Sequence, residues 1–142
     1  MSTFRPVRKV YESVALQASA VQTATGQSAA VKLPYEFKAV TFELDLTAAA
    51  TVVGDTLDVT IQTKVDQVNW IDACHFTQAV GNGGAKRFLT TLATGINQAM
   101  YEVGTALTAG SVRNVWGDEY RVSWVIAGVS PSFTFSVWAC TQ

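Results

Sequence analysis

The one histidine of this chain, with the cysteine beside it, could carry acid–base or nucleophilic chemistry. A thiol nucleophile must lie within hydrogen-bonding reach of the imidazole that activates it. The pattern around His75 predicts a strand, whose consecutive side chains point to opposite faces. One predicted face holds His75, Ile71 and Ala73, and the other holds Trp70, Asp72, Cys74 and Phe76. Because Cys74 and His75 point apart, we predict no catalytic residue and expect the chain not to be an enzyme.

Metal and phosphate sites lack their usual spacing. One histidine and two distant cysteines do not match a zinc site. The run Gly81–Gly84 has neither the following helix nor the Lys-Ser/Thr pair of a phosphate loop, and we interpret it as a hairpin loop. Four aspartates lie close together without an Asp-x-Asp-x-Asp-Gly calcium loop: Asp55, Asp58, Asp66 and Asp72. We interpret them as solvated strand ends, with calcium between loops as the alternative, and predict no metal and no cofactor.

Tryptophan raises the question of sugar binding, because carbohydrate modules stack sugar rings on exposed indoles. The four tryptophans are Trp70, Trp116, Trp124 and Trp138. Indoles of a sandwich fill the core or a subunit interface more often than they bind sugar. The candidates for a carbohydrate platform are Trp70 and Trp138.

The charge balance argues against a nucleic-acid partner. The formal net charge is −1, whereas nucleic-acid-binding domains carry a basic face or stripe. The local exception is Arg5, Arg8 and Lys9, which form either a solvated start or an arm that lies on an acidic neighbouring surface. Charged residues make up 15 % of the chain, against roughly 25 % in typical soluble domains. Low charge is common in β-proteins, and it is also typical of subunits whose surface is covered in an assembly.

Compartment and membrane association are also predicted from composition. We expect Cys74 and Cys140 to be buried free thiols, since two cysteines provide no disulfide framework. No run of 18 or more apolar residues could cross a membrane. The start, from Met1 to Val10, is polar and basic and lacks the apolar core of a secretory signal. We therefore expect no membrane partner and a cytoplasmic site of assembly.

Alternation of apolar and polar residues predicts an all-β chain. Valine and threonine, which favour strands, together make a quarter of the residues. The clearest strand is Lys38–Thr47, with apolar side chains at every second position. The other predicted strands are Ser13–Ala20, Leu57–Val65, Asn69–Ala79, Ala85–Leu92, Glu119–Ala127 and Ser132–Cys140.

The last two strands flank Gly128–Pro131, which we interpret as a hairpin connection. In the final strand the pattern buries Phe133, Phe135, Val137 and Ala139, and it leaves Trp138 and Cys140 on the less apolar face. We predict a loop and a short strand for the segment Ala93–Gly110. Leu89–Tyr101 is the only segment compatible with a short helix.

These elements predict an antiparallel β-sandwich of the jelly-roll type. Residues 13–142 are expected to form a single domain. Residues 1–12, with Pro6 among alternating basic and apolar positions, are expected to form an extended N-terminal arm.

Most of the sandwich resembles small head-region structural proteins of tailed bacteriophages. In that group an opening strand rich in alanine, threonine and leucine precedes an Asp-Leu-Thr strand and a Leu-x-Val-x-Ile-Gln strand. The segments that carry the resemblance are Leu16–Ala20, Thr23–Gly26, Val40–Thr47, Thr56–Thr63, Trp70–Gly84 and Tyr120–Ala139.

The resemblance implies a decoration or cement protein on the outer surface of an icosahedral capsid. Such a protein clamps subunits of the major capsid protein, commonly as a homotrimer, and resides in the virion after assembly in the host cytoplasm. The candidate partner-binding residues are Arg5, Arg8, Lys9, Asn82 and Trp138. A carbohydrate-binding sandwich and a tail or head–tail connector component are the alternatives.

Overall fold

The computed structural model describes residues 12–33, 37–94, 100, 102–103 and 106–142. Within these ranges the chain forms strands and no helix, and no helix long and apolar enough to cross a membrane is present in them. The strands are β1 (Glu12–Gln22), β2 (Gly26–Gln27), β3 (Val31–Lys32), β4 (Ala39–Ala48), β5 (Thr56–Lys64), β6 (Trp70–His75), β7 (Ala79–Val80), β8 (Lys86–Ala93), β9 (Ser111–Val112), β10 (Glu119–Ala127) and β11 (Phe133–Thr141).

The strands form two antiparallel sheets that pack face to face. The first sheet has the order β1-β11-β4-β8, and the second has the order β2-β10-β5-β6-β9. Two short strands complete the second sheet, since β3 pairs with β10 and β7 pairs with β5. Counting β2 with β3 and β6 with β7, and leaving out the short β9, the two sheets have the strand orders of a jelly roll, in which β5 and β6 are paired neighbours and the other successive strands lie in opposite sheets. The predicted all-β jelly-roll sandwich is confirmed.

Strict alternation produces the core between the sheets. In β4 the buried residues are Val40, Phe42, Leu44 and Leu46, and in β11 they are Phe133, Phe135, Val137 and Ala139. The second sheet contributes Leu57, Val59, Ile61, Tyr120, Val122 and Trp124. Rings from opposite sheets meet, with centroids 5.8 Å apart for Phe42 and Tyr120 and 5.6 Å apart for Trp124 and Phe135. Each buried side chain of this size contributes about 1.5–3 kcal/mol of transfer free energy.

The two connections predicted to be hairpins, Gly81–Gly84 and Gly128–Pro131, do not join paired strands. Both predictions were wrong. β10 pairs with β5 while β11 pairs with β1 and β4, so the Gly128–Pro131 connection crosses from one sheet to the other. The connection at Gly81–Gly84 likewise leads from β7 in the second sheet to β8 in the first. Both connections therefore join strands that face each other across the core, whereas β5 and β6 are consecutive strands that pair side by side.

Three further predictions differ from the structure in detail. The segment Leu89–Tyr101 does not begin as a helix, because Leu89 to Ala93 belong to β8. The predicted strand Asn69–Ala79 is divided into β6 and β7. Glu12, which was placed in the arm, pairs with Thr141 as the first residue of β1. The remainder of the arm, with Arg5, Arg8 and Lys9, lies outside the described residues.

Candidate functional site

Trp138 lies in the middle of the outer face of the first sheet. The core-facing residues of β11 alternate with it, so the indole points away from the core and remains 41 % exposed. In the cross-strand register Trp138 stands between Ala15 and Glu43, and Glu43 stands opposite Leu89, which is 64 % exposed. An exposed indole at this position was predicted from alternation alone.

The surface around Trp138 is a shallow depression of about 380 Å³. We call it the Trp138 face, and it is lined by Ser13, Thr41, Glu43, Leu89, Trp138 and Cys140. Its polar groups are held in place by neighbours on β8: a terminal guanidinium nitrogen of Arg87 lies 2.9 Å from Oε2 of Glu43, and the hydroxyls of Thr41 and Thr91 are 2.9 Å apart. The face therefore combines two exposed apolar side chains with carboxylate and hydroxyl groups, a mixture typical of protein-contact surfaces.

Asn82 lies far from the Trp138 face. Its backbone N–H donates to the carbonyl of Ala50 at 2.6 Å, and its φ of 65° makes it one of two described non-glycine residues in the left-handed region. Ala50 is seven residues beyond Glu43, which corresponds to roughly 20 Å along a strand. The structure does not bring these two predicted partner-binding residues together.

A polar network covers the outer face of the second sheet, and sequence reasoning missed it. Its members are Asp58, Gln62, Asp72, His75 and Arg121. Nε2 of His75 lies 3.0 Å from Oδ1 of Asp58, and Gln78 donates to the other oxygen of Asp58 at 2.8 Å. Gln62 donates to Asp72 at 2.8 Å and accepts from Nε of Arg121 at 2.9 Å. Most polar atoms of this face are therefore used within the domain.

A β-bulge at Ala73 explains why the face assignment around His75 was wrong. Cys74 pairs with Ile61 and Asp72 pairs with Gln62, so Ala73 is an extra residue between them. The bulge shifts the alternation, placing Asp72 and His75 on the same outer face and burying both Ala73 and Cys74. The expected separation of Cys74 from His75 still holds. Burial also raises the pKa of the Cys74 thiol to about 12.

His75 ties the segment before β9 to the second sheet. Its Nδ1 lies 2.6 Å from the carbonyl oxygen of Leu107, and the N–H of Leu107 donates to Asp72 at 3.1 Å. The N–H of Gly110 donates to the carbonyl of His75 at 2.8 Å. Nδ1 must donate to the carbonyl, so both ring nitrogens of His75 are engaged within the domain. The His75 ring therefore has a structural role as a tie, because it connects the segment that contains Leu107 to Asp58 of β5.

The two candidate sugar-binding indoles have different surroundings. The Nζ atom of Lys64 lies 4.7 Å from the centroid of the Trp70 ring, and the guanidinium carbon of Arg121 lies 4.3 Å from it. Trp70 is therefore engaged in cation–π contacts inside the domain. The indole of Trp138 is more exposed and is accessible to a partner.

The four neighbouring aspartates are dispersed over the domain. Asp55 is fully buried at one end of the sandwich, which contradicts its interpretation as a solvated strand end. Asp58 and Asp72 belong to the polar network, and Asp66 accepts two backbone N–H groups in an exposed turn. Among the described residues no group of three or more His, Cys, Asp or Glu side chains is arranged to hold a metal ion. Both cysteines are free thiols, as predicted; Cys74 is also buried as predicted, whereas Cys140 is only half-buried.

Comparison with known proteins identifies no family for this chain. No protein-family model matches it, and no curated protein matches it at a significant level.

Proposed function

We propose that this chain is a structural protein of a virus particle, a decoration or cement protein that binds the outer surface of a tailed-bacteriophage capsid. In this proposal the protein acts as a homo-oligomer, with a trimer favoured, and clamps subunits of the major capsid protein. The sequence resemblance motivates the proposal. The jelly-roll strand order is compatible with it, because this architecture is common among viral capsid domains and lectins.

The single observation that carries the proposal furthest is the Trp138 face. An indole that is 41 % exposed stands beside an exposed Leu89 on a broad four-stranded sheet. Tryptophan is enriched among the residues that dominate binding energy at protein interfaces. Glu43 and Arg87 border these apolar groups and supply paired charges for a polar rim.

Co-sedimentation with capsids tests the proposal. The assay uses empty tailed-phage capsids, and the compared variants are Trp138→Ala and Trp70→Ala. We expect the wild type and Trp70→Ala to sediment with capsids and Trp138→Ala to bind at least tenfold more weakly, since interface tryptophans commonly contribute about 2 kcal/mol or more. A wild-type protein that stays in the supernatant at all capsid concentrations would refute the proposal.

The predicted N-terminal arm has its own test. Removing residues 1–10 should weaken capsid attachment and leave the unfolding temperature nearly unchanged, because β1 begins at Glu12 and keeps all its pairs with β11. Equal capsid binding by the shortened and complete chains would remove the arm from the proposal.

A carbohydrate-binding sandwich is the second candidate, and the exposure of Trp138 beside Glu43, Thr41 and Ser13 favours it. Sugar sites combine an exposed indole with carboxylate and hydroxyl groups that bind sugar hydroxyls. A glycan array separates the two functions. Binding that disappears in Trp138→Ala would support the lectin function, and an array without signal would exclude it. A tail or head–tail connector role would instead produce binding to isolated tails or portals and none to capsids.

A further inference from the structure

One end of the sandwich is formed by four connections that carry almost no charge. We call it the uncharged end, and it consists of residues 23–25, 49–55, 81–85 and 128–132. The single charged residue in these loops is Asp55, whose side chain is fully buried. A charged residue, Lys86, follows the loops directly at the start of β8, and its side chain lies near Gly83. The end is therefore an uncharged surface with a charge at its border.

The opposite end has a different composition. Its described loops contain Lys38, Asp66, Arg113 and Asp118, and charged residues also occupy adjoining strand ends at Lys32, Lys64 and Glu119. Two of these pairs form ion pairs, Lys64 with Glu119 at 2.9 Å and Lys32 with Asp118 at 4.0 Å. The contrast in charge between the two ends therefore lies in the sequence of their described loops.

Three valines of these loops, together with Val80 at the end of the adjoining β7, make the uncharged end apolar. Val129 is 92 % exposed and Val53 is 79 % exposed, and Val52 and Val80 are exposed to a lesser degree. These loops contact one another: the N–H of Gly81 donates to the carbonyl of Asp55, and the N–H of Val129 donates to its carboxylate. These hydrogen bonds bring the loops that carry the valines together at one end of the sandwich. Exposed apolar side chains gathered in this way are typical of an interaction site.

The loops of the uncharged end pack closely against one another. A Cβ atom added to Gly81 would lie 1.7 Å from the carbonyl oxygen of Val52, and one added to Gly128 would lie 2.0 Å from Oδ1 of Asp55. Neither position has room for a side chain. Close packing of this kind favours a preorganised surface, which loses little conformational entropy on association.

We infer that the uncharged end is the surface through which copies of this chain associate with one another around a symmetry axis. A rotation axis brings equivalent residues of the copies close together, so a charge near the axis would face its own copy and repel it. The uncharged end avoids this repulsion, while its exposed valines are removed from water on contact. A strongly charged partner would find no complementary group there. The inference rests on the homo-oligomer of the proposed function and assigns its contact surface.

Light scattering coupled to size-exclusion chromatography over a wide concentration range tests the inference. The variants are Val53→Lys and Val129→Lys, and the matched control is Val68→Lys, whose valine is 74 % exposed in a loop at the opposite end. We expect the wild type and Val68→Lys to form the same oligomer and the two end variants to be monomers. All four should have similar unfolding temperatures, because none of these valines belongs to the core.

Cross-linking provides a second, independent readout. In a Cys140→Ser background, Val53→Cys should be joined into covalent dimers by a short bismaleimide, and Val68→Cys should remain monomeric. A wild-type protein that is monomeric at every concentration would overturn the inference, as would end variants that keep the wild-type oligomer. Oligomers that depend on Val53 but do not bind capsids would refute the capsid proposal and leave this inference standing.

Discussion

Oδ1 of Asp55 accepts the backbone N–H of Val129 at 2.9 Å, although 74 positions separate the two residues. The bond joins the connection between β4 and β5 to the connection between β10 and β11. Asp55 also receives the N–H of Gly81 on its carbonyl at 2.7 Å. Through these two hydrogen bonds, a single buried residue links three connections that cross between the sheets.

Replacing Asp55 with alanine should destabilise the domain. The N–H of Val129 would lose its hydrogen bond to the carboxylate, and a hydrogen bond to a charged group contributes about 1.5–3 kcal/mol. Urea denaturation followed by tryptophan fluorescence measures the free energy of unfolding. Asp118→Ala is the control, since its carboxylate is mostly exposed and its distance to Lys32 is 4.0 Å. Equal stabilities for the two variants would contradict the role of Asp55.

Gly128→Ala should lower the unfolding temperature more than Gly84→Ala does. Both glycines have positive φ, 130° and 74°, so an alanine is strained at either position, by about 1–2 kcal/mol. Only at Gly128 would the new methyl group also collide with Asp55, at 2.0 Å from Oδ1, whereas at Gly84 nothing lies within 4 Å. Thermal unfolding of the two variants checks the order, and a lower unfolding temperature for Gly84→Ala would disprove it.

Replacing His75 with phenylalanine should release the segment that contains Leu107. The Leu107 carbonyl and one Asp58 oxygen would lose their contacts with the ring, while the size of the side chain is retained. We expect faster hydrogen exchange at the backbone amides of residues 106–110 and a smaller change in exchange rate at amides elsewhere. Gln78→Ala removes a different partner of Asp58 and should leave exchange at residues 106–110 unchanged. Unaltered exchange in the phenylalanine variant would show that the tie has no effect.

Thiol-specific reagents should distinguish the two cysteines. Burial raises the pKa of Cys74 to about 12, so at pH 8 almost none of it is the reactive thiolate. Cys140 is half-buried beside Trp138 on the outer face. One thiol per native chain should therefore react, and Cys140→Ser should abolish the reaction until denaturant is added. Rapid modification of both thiols in the native protein would contradict this assignment.

Asp66 should remain ionised to unusually low pH. Backbone N–H groups of Asn69 and Val68 donate to its carboxylate and lower its pKa from 3.8 to about 2. A carboxyl group with a lowered pKa in the folded state stabilises the fold above its unfolded pKa, and this contribution is lost as the pH falls through about 2. The carboxyl ¹³C shift of Asp66, followed by NMR during acid titration, measures the midpoint. A midpoint near 4 would exclude these hydrogen bonds in solution.

The sequence by itself determined the longest core strands and their faces. The alternation in β4, β5, β10 and β11 assigned each core residue correctly and placed Trp138 on the outside. This succeeds because side-chain direction in a strand repeats every two residues, a local property that needs no knowledge of the partner strand. The cysteine count, a separate signal, predicted two free thiols.

Only the tertiary structure decided which strands pair. The connections at Gly81–Gly84 and Gly128–Pro131 contain the residues of hairpin turns, yet both cross between sheets, because packing across the core determines the pairing. The bulge at Ala73 reversed the alternation and moved Asp72 beside His75. Burial of Asp55, and the gathering of four uncharged loops at one end, likewise depend on contacts between residues far apart in sequence. Such contacts leave no local pattern from which they could be predicted.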